Sequence, residues 1–450
     1  MIRRKFLSIA ITAAISVGLL AGCGSSSSGT AMGDATTESA SPQAQAASSI
    51  AATDESKKDT DVDSDSSADT TSEAAVDSGA ESNSETTKGA EVSEEVTVIG
   101  ITERSDEMRD ITPTELVSEI KAGWNLGNTF DSTDKSGVEA ETYWGNPKTT
   151  KEMIDAVCEK GFNAIRIPVT YADHMGAAPD YTIEPEWLDR VEEVVNYALD
   201  DGMYVIINSH HEESWRIPDD EHIDAVDAQH IALWKQVAEH FMDYGDHLIF
   251  EGLNEPRVKG GEGEWDGGTE EGRRCLDRLN QSFVDTVRAT GGNNEKRLVL
   301  ITSYASSHVM KTIGDLAIPE DDHLAVSIHA YTPYAFTYAN GESWEIFSWN
   351  GSQYKDIVNV MLDLDKTFIQ KGIPVLLTEY GAENKNDNIA DVQKWASDYV
   401  SRATQTGIPC FWWDNGIYNS QGEKFAIFDR KNLTWYREEV VDTIIKESYK

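Results

Sequence analysis

The sequence predicts an α/β protein: a closed (β/α)8 barrel of the TIM type, preceded by a disordered N-terminal tether. Three observations lead there. From about residue 110 onward, short apolar runs alternate with amphipathic helical stretches. The apolar runs are near-continuous rather than alternating, as expected of parallel strands buried on both faces. Eight such units in about 340 residues suit a closed barrel better than an open doubly wound sheet. A dinucleotide-binding sheet would need a glycine fingerprint after its first strand, and GWNLG at 123–127 has too few glycines at the wrong spacing. There is no internal repeat.

The first residues, MIRRKFLSIAITAAISVGLLAGC, run from a basic start through an apolar stretch too short for a confident membrane span. They read as a secretory leader over 1–22. The ending Leu20-Ala21-Gly22-Cys23 resembles the bacterial lipoprotein box, which implies cleavage before Cys23, lipidation of its thiol and a place on the bacterial cell surface. Residues 23–108 read as an acidic Ser/Thr-rich linker; 24–100 contain no Phe, Trp or Tyr, too little apolar surface to offset the entropy of ordering. Residues 109–450 remain as the folded domain. Residues 24–100 contribute 16 acidic and 3 basic groups and the leader three basic ones, so about −31 of the chain's −41 belongs to residues 101–450. Such a surface argues against nucleic acid and anionic membrane as partners and is compatible with a neutral polymer. Any membrane contact is expected only through Cys23, and the folded part is expected to be a monomer.

In order, the strands are expected at 122–127, 163–169, 203–208, 248–252, 298–302, 323–329, 374–378 and 408–413. Helical patterns fall at 186–200, 227–244, 273–290, 354–370 and 389–406. Gly123, Gly161, Gly202, Gly372 and Gly407 stand just before strands, where a left-handed residue closes the preceding helix. Besides Cys23, the three cysteines Cys158, Cys275 and Cys410 are widely spaced and odd in number; they read as structural or free thiols.

Function in such a barrel collects at the C-terminal ends of the strands. In order these ends carry Asn125 and Asn128, Arg166, His210 and His211, Asn254 and Glu255, His329 and Tyr331, Glu379, then Trp412 and Trp413. Two carboxylates facing one another across one mouth suit hydrolysis, one protonated to release an alkoxide and the other ionised to attack an anomeric carbon. Arg166 and Tyr331 suit the task of holding Glu379 ionised. His210 and His329 suit hydrogen bonding to carboxylates and sugar hydroxyls, Asn254 a sugar 2-hydroxyl, and Trp413 the flat face of a pyranose. The His210-His211 pair lacks a third ligand at a suitable spacing, so no metal and no cofactor is expected. The other histidines, His174, His222, His230, His240, His247, His308 and His323, read as surface or core. Trp187, Trp234, Trp395 and Trp435 sit in helical patterns as core, whereas Trp215, Trp265, Trp344 and Trp349 lie in loops where stacking on glucan is open.

The motifs WNLGNTFD, RIPVTY, NSHHE, GLNEPR, HAYTPY, LTEYGA and PCFWWDNG, in that order, resemble glycoside hydrolase family 5 and its endoglucanase subfamily 4. The resemblance runs from about Thr112 to the C-terminus. It implies an endo-β-1,4-glucanase with a retaining mechanism, Glu255 matching the acid/base and Glu379 the nucleophile. It also implies that Arg166, His210, Asn254, His329, Tyr331 and Trp413 serve the active site, with Asn128 and Asp131 matching subsite positions. The expected partner is a β-glucan. Xyloglucanase, lichenase or mannanase activity on the same fold stays open, as does a non-catalytic glycan-binding lipoprotein, although a binder has no use for two opposed carboxylates.

Overall fold

The computed structural model describes residues 101–450, apart from Asn340 and Gln421. The expected leader, most of the tether and Cys23 lie outside these residues. Among the described residues no helix is long and apolar enough to cross a membrane.

A short helix, α1 (Pro113–Glu119), opens the barrel. Thr112 caps it reciprocally with Glu115, and Pro113 supplies a preset first turn. Eight parallel strands then close into a barrel in sequence order. They are β1 (Ala122–Asn125), β2 (Ala164–Ile167), β3 (Tyr204–Asn208), β4 (Leu248–Glu251), β5 (Val299–Ser307), β6 (Leu324–His329), β7 (Val375–Tyr380) and β8 (Cys410–Trp412). Around them pack α2 (Lys151–Glu159), α3 (Pro185–Asp200), α4 (Ile223–His240), α5 (Glu270–Ala289), α6 (Met310–Ile313), α7 (Tyr334–Thr337), α8 (Tyr354–Thr367), α9 (Ile389–Thr406) and α10 (Glu438–Ser448). A small antiparallel pair, β9 (Phe428–Asp429) and β10 (Thr434–Trp435), precedes α10.

Two apolar layers hold the barrel. The outer one, between strands and helices, contains Ile165, Val205, Phe250, Ile301, Val326 and Leu377. The inner one fills the lower barrel with Ala164, Ile206, Ile249, Leu300, Ala325, Leu376 and Phe411, and Leu116, Val117 and Ile120 of the α1 region close it from below. Residues i and i+2 of a strand share a face, so the inner residues of the next layer up are Asn125, Arg166, Asn208, Glu251, Thr302, Ser327 and Thr378, all fully buried. A polar storey therefore rests on an apolar one.

Gly161, Gly202, Gly372 and Gly407 do adopt positive φ. Gly123 serves another purpose: a Cβ there would lie 2.2 Å from Cδ1 of Phe411, part of the inner apolar layer. The expected domain boundary at 108/109 falls inside packed chain. The Thr102 amide donates to the Asp201 carbonyl at 3.1 Å, and Asp246 N–H to the Glu107 carbonyl at 3.0 Å. A Cβ at Gly245 would meet the Asp106 backbone at 2.7 Å. Residues 102–108 strap the underside of the barrel, and their acidic, polar composition hid this. Cys158, Cys275 and Cys410 are buried free thiols.

Candidate active site

The polar storey leads directly to the mouth. Arg166, on β2, is fully buried and uses each of its three nitrogens. Its Nε donates to Glu251 at 2.6 Å, one terminal nitrogen to Glu379 Oε1 at 2.7 Å and to Asn125 at 3.0 Å, and the other to Asn254 Oδ1 at 2.8 Å. Strict alternation along β7 would turn Glu379 outward with Leu377. Instead the register slips, pairing Ile328 with Leu377 but His329 with Glu379. One extra residue, a β-bulge, turns both Thr378 and Glu379 inward. Glu255 comes from the turn after β4, where the Ser306 hydroxyl donates to the Asn254 carbonyl and Ala305 N–H to the Pro256 carbonyl at 2.9 Å. Ala305 and Ser306 hold φ of 55° and 49°, a left-handed kink that brings β5 under this turn.

Glu255 and Glu379 face one another across His329. The imidazole Nδ1 lies 2.9 Å from Glu255 Oε1 and 3.5 Å from Glu379 Oε2, and one oxygen of each carboxyl lies within 4.8 Å of the other. The Tyr331 hydroxyl donates to Glu379 Oε2 at 2.9 Å. Burial pushes Glu379 above the usual carboxylate range, against the pull of His329 and Arg166. Burial acts on Glu255 in the same direction, but its hydrogen bond to His329 and that ring's charge carry it below. The donors differ in kind. Glu379 holds a permanent cation and a phenol, whereas Glu255 holds an imidazole. Arg257 and His211 also favour the charged form of Glu255.

The mouth also holds His210, His211, Trp413, Asn128 and Asp131. Asn208 fixes the first of these. Its Oδ1 accepts from the Val169 amide at 3.0 Å, so its amide nitrogen points at His210 Nδ1, 3.1 Å away. Burial holds His210 well below the usual imidazole value. The neutral ring therefore accepts at Nδ1 and carries its proton on Nε2. Trp413 lies parallel to this ring at 5.8 Å. Its neighbour Trp412 turns outward, donating to the Phe425 carbonyl and packing on Trp395. Burial lowers His211, but Glu213 and Asp131 outweigh it and raise it. Asp131 closes the turn after β1 by accepting from the amides of Asn128 and Thr129.

The fold brings Asp131 to His210 and His211, with one donor atom of each within 4.8 Å of the others. The third ligand that sequence spacing did not supply thus comes from another loop. These donors fit hydrogen bonding better than metal binding, because Nδ1 of His210 is committed to Asn208 and both Asp131 oxygens accept backbone amides.

Of the loop tryptophans, Trp349 is buried and bonded to Asp398, Trp265 lies under the Arg257 guanidinium at 4.0 Å, and Trp215 donates to Glu212. Trp344 alone of the four is exposed. Sequence reasoning passed over Trp144, whose ring lies 5.9 Å from His211. It also passed over Glu423, whose carboxyl accepts from Tyr338 and is pushed up to about 8 by burial and by neighbouring acids that include Glu255 and Glu379. His308, assigned to surface or core, lies within 3.3 Å of the Thr332 hydroxyl. The GE pair before Phe425 and the Trp beside Gly145 gave no periodic signal.

Residues 127–419 match the family described as cellulase, glycosyl hydrolase family 5. The chain is 63% identical over 346 residues to endoglucanase A of Ruminococcus albus, covering 77% of this chain and 95% of that one. Among solved structures, it resembles a broad-specificity endoglucanase of Ruminococcus champanellensis with bound cellotriose, at 42% identity and a TM-score of 0.73, over 75% of this chain and 99% of the other. A xyloglucan-specific endo-β-1,4-glucanase from a metagenomic library, also with cellotriose, matches at 48% identity and a TM-score of 0.72, over 74% and 98% of the two chains. On the barrel, the paired carboxylates and these matches, the chain belongs to the cellulase family, glycosyl hydrolase family 5.

Proposed function

We propose that this protein is an endo-β-1,4-glucanase of the subfamily 4 type that cleaves internal bonds with retention of configuration. The observation that carries the reading is the pair Glu255 and Glu379, with carboxyl oxygens within 4.8 Å across His329. Retaining glycosidases place their carboxyl groups about 5–5.5 Å apart, and inverting ones leave room for a water. Glu255 protonates the leaving oxygen while Glu379 attacks the anomeric carbon. The resulting glycosyl-enzyme is hydrolysed by a water that Glu255 deprotonates. Arg166 and Tyr331 keep the attacking carboxylate charged and aimed. Asn254, whose oxygen is taken by Arg166, presents its amide hydrogens to the sugar 2-hydroxyl. His210 offers Nε2–H to a hydroxyl, and Trp413 gives the ring a stacking face. His211 and Asn128 line the way to further sugars, whereas Asp131, expected at a subsite, is fully buried and acts through the turn it closes. Export as a cell-surface lipoprotein, resting on the leader and Cys23, belongs to the same reading.

Glu255→Gln and Glu379→Gln are expected to lose at least about 10³-fold in reducing-sugar release from barley β-glucan. Full activity in both would overturn the assignment. The match to a xyloglucan-specific enzyme favours xyloglucan as a second substrate. Product analysis on carboxymethylcellulose, lichenan, xyloglucan, xylan and mannan decides between a narrow and a broad glucanase.

A further inference from the structure

Glu251 stands in the middle of the polar storey, and the reaction as described makes no use of it. Its side chain is fully buried at the end of β4. One oxygen accepts from Arg166 Nε at 2.6 Å and from the Asn208 amide at 3.0 Å; the other accepts from the Ser327 hydroxyl, which also meets Thr378. A buried carboxylate tied to one cation and two neutral donors is costly to desolvate, and a hydrophobic residue would suit barrel packing better. Its position explains the cost. Arg166 lies between two carboxylates at nearly equal range, Glu251 at 2.6 Å and Glu379 at 2.7 Å. Asn208 joins the same carboxylate to the ring of His210.

We propose that Glu251 is a positioning residue for the glucanase reaction. Its carboxylate shares the Arg166 guanidinium with Glu379 and, through Asn208, fixes the tautomer of His210. Were Arg166 to answer to Glu379 alone, its charge would neutralise the attacking oxygens more completely and make them poorer nucleophiles. Dividing the cation keeps Glu379 ionised yet basic. The pair also sets position, because Nε held by Glu251 leaves the two terminal nitrogens aimed at Glu379 and Asn254.

This inference rests on Glu379 being the nucleophile, so the experiment reads the two separately. A 2-deoxy-2-fluoro-β-cellobioside with a dinitrophenolate leaving group traps the glycosyl-enzyme, and peptide mapping locates the label. A label elsewhere than Glu379 overturns the proposed nucleophile, whatever Glu251 does. The rate of trapping against pH then tests Glu251. Among the described residues, the charged and titratable groups facing Glu379 are Arg166, Glu255, His329, Tyr331 and Glu423, and the Glu251 variants leave all of them in place.

Glu251→Gln fits the site if its oxygen keeps Arg166 and Asn208 and its amide donates to Ser327. It is expected to trap about 10- to 100-fold more slowly, with KM for β-glucan near the wild-type value. The acidic limb of its profile should move to lower pH by about half a unit, because the negative charge that shares Arg166 with the nucleophile has gone. Glu251→Asp, holding the charge one methylene further from the guanidinium, should move the limb the same way by less. A folded variant of either kind whose limb stays in place overturns the proposal, even with a reduced rate, because loss of packing alone leaves the limb unmoved. If the glutamine variant fails to fold, the aspartate variant decides by the same criterion.

Discussion

At the scale of single residues, the two acids proposed for different tasks differ in what donates to them. Glu379 receives a guanidinium and a phenol, Glu255 an imidazole. Tyr331 is therefore a sensitive place to intervene. Tyr331→Phe removes a donor that favours the charged form of Glu379, so the acidic limb of kcat/KM should rise in pH. Loss of a hydrogen bond to a charged group, worth about 1.5–3 kcal/mol, should lower kcat about 10- to 100-fold. An unmoved limb would show that the hydroxyl does not act on Glu379. The residue types at this site were legible in the sequence: Arg166, Asn254, Glu255, His329, Tyr331 and Glu379 all meet at the mouth. Glu251 was not, because one acid inside an apolar strand reads as a surface position until the barrel closes around it. Trp144 was missed for a related reason: an aromatic residue in an irregular loop has no period from which its direction can be read.

At the scale of elements, the barrel depends on period-two alternation and on the places where it breaks. Regular alternation puts Ile206 below Asn208, Ile249 below Glu251 and Ala325 below Ser327, and so builds the apolar floor and polar storey together. The slip on β7 departs from it to bring Glu379 inward. Strand positions were readable from apolar runs, but a bulge is set by pairing between strands and leaves no mark in composition. Close packing below the storey is equally local. Gly123→Ala would drive a methyl into the Phe411 ring, and overpacking of this kind costs about 1–3 kcal/mol. A fall of several degrees in Tm is expected, partly recovered by adding Phe411→Leu. A melting curve identical to wild type would mean the ring moves aside freely.

At the scale of the whole molecule, the fold keeps groups neutral that water would charge. His230 on α4 is fully buried beside Phe283, and burial holds it well below the usual imidazole value. The unfolded chain takes up this proton near pH 6.5 and the folded one does not. Stability from this site is therefore complete above that pH and lost as pH falls below it. One unit lower the loss reaches about 1.4 kcal/mol. The drop in Tm between pH 7.5 and 5.5 should be smaller in His230→Leu than in wild type, and equal drops would exclude His230 as a source of acid sensitivity.

The barrel, its strand order and the residue types at its mouth were readable from the residues alone, because parallel strands buried on both faces must be apolar along their length and their C-terminal tips are where polar residues can gather. How those residues meet came from the folding of distant segments together. It turned Glu379 inward through a bulge, brought Asp131 beside two histidines from another loop, and enclosed Glu251 with Arg166 and Asn208. Each of these depends on strand pairing and on distances between segments far apart in the chain, and neither is written in the local pattern of residues.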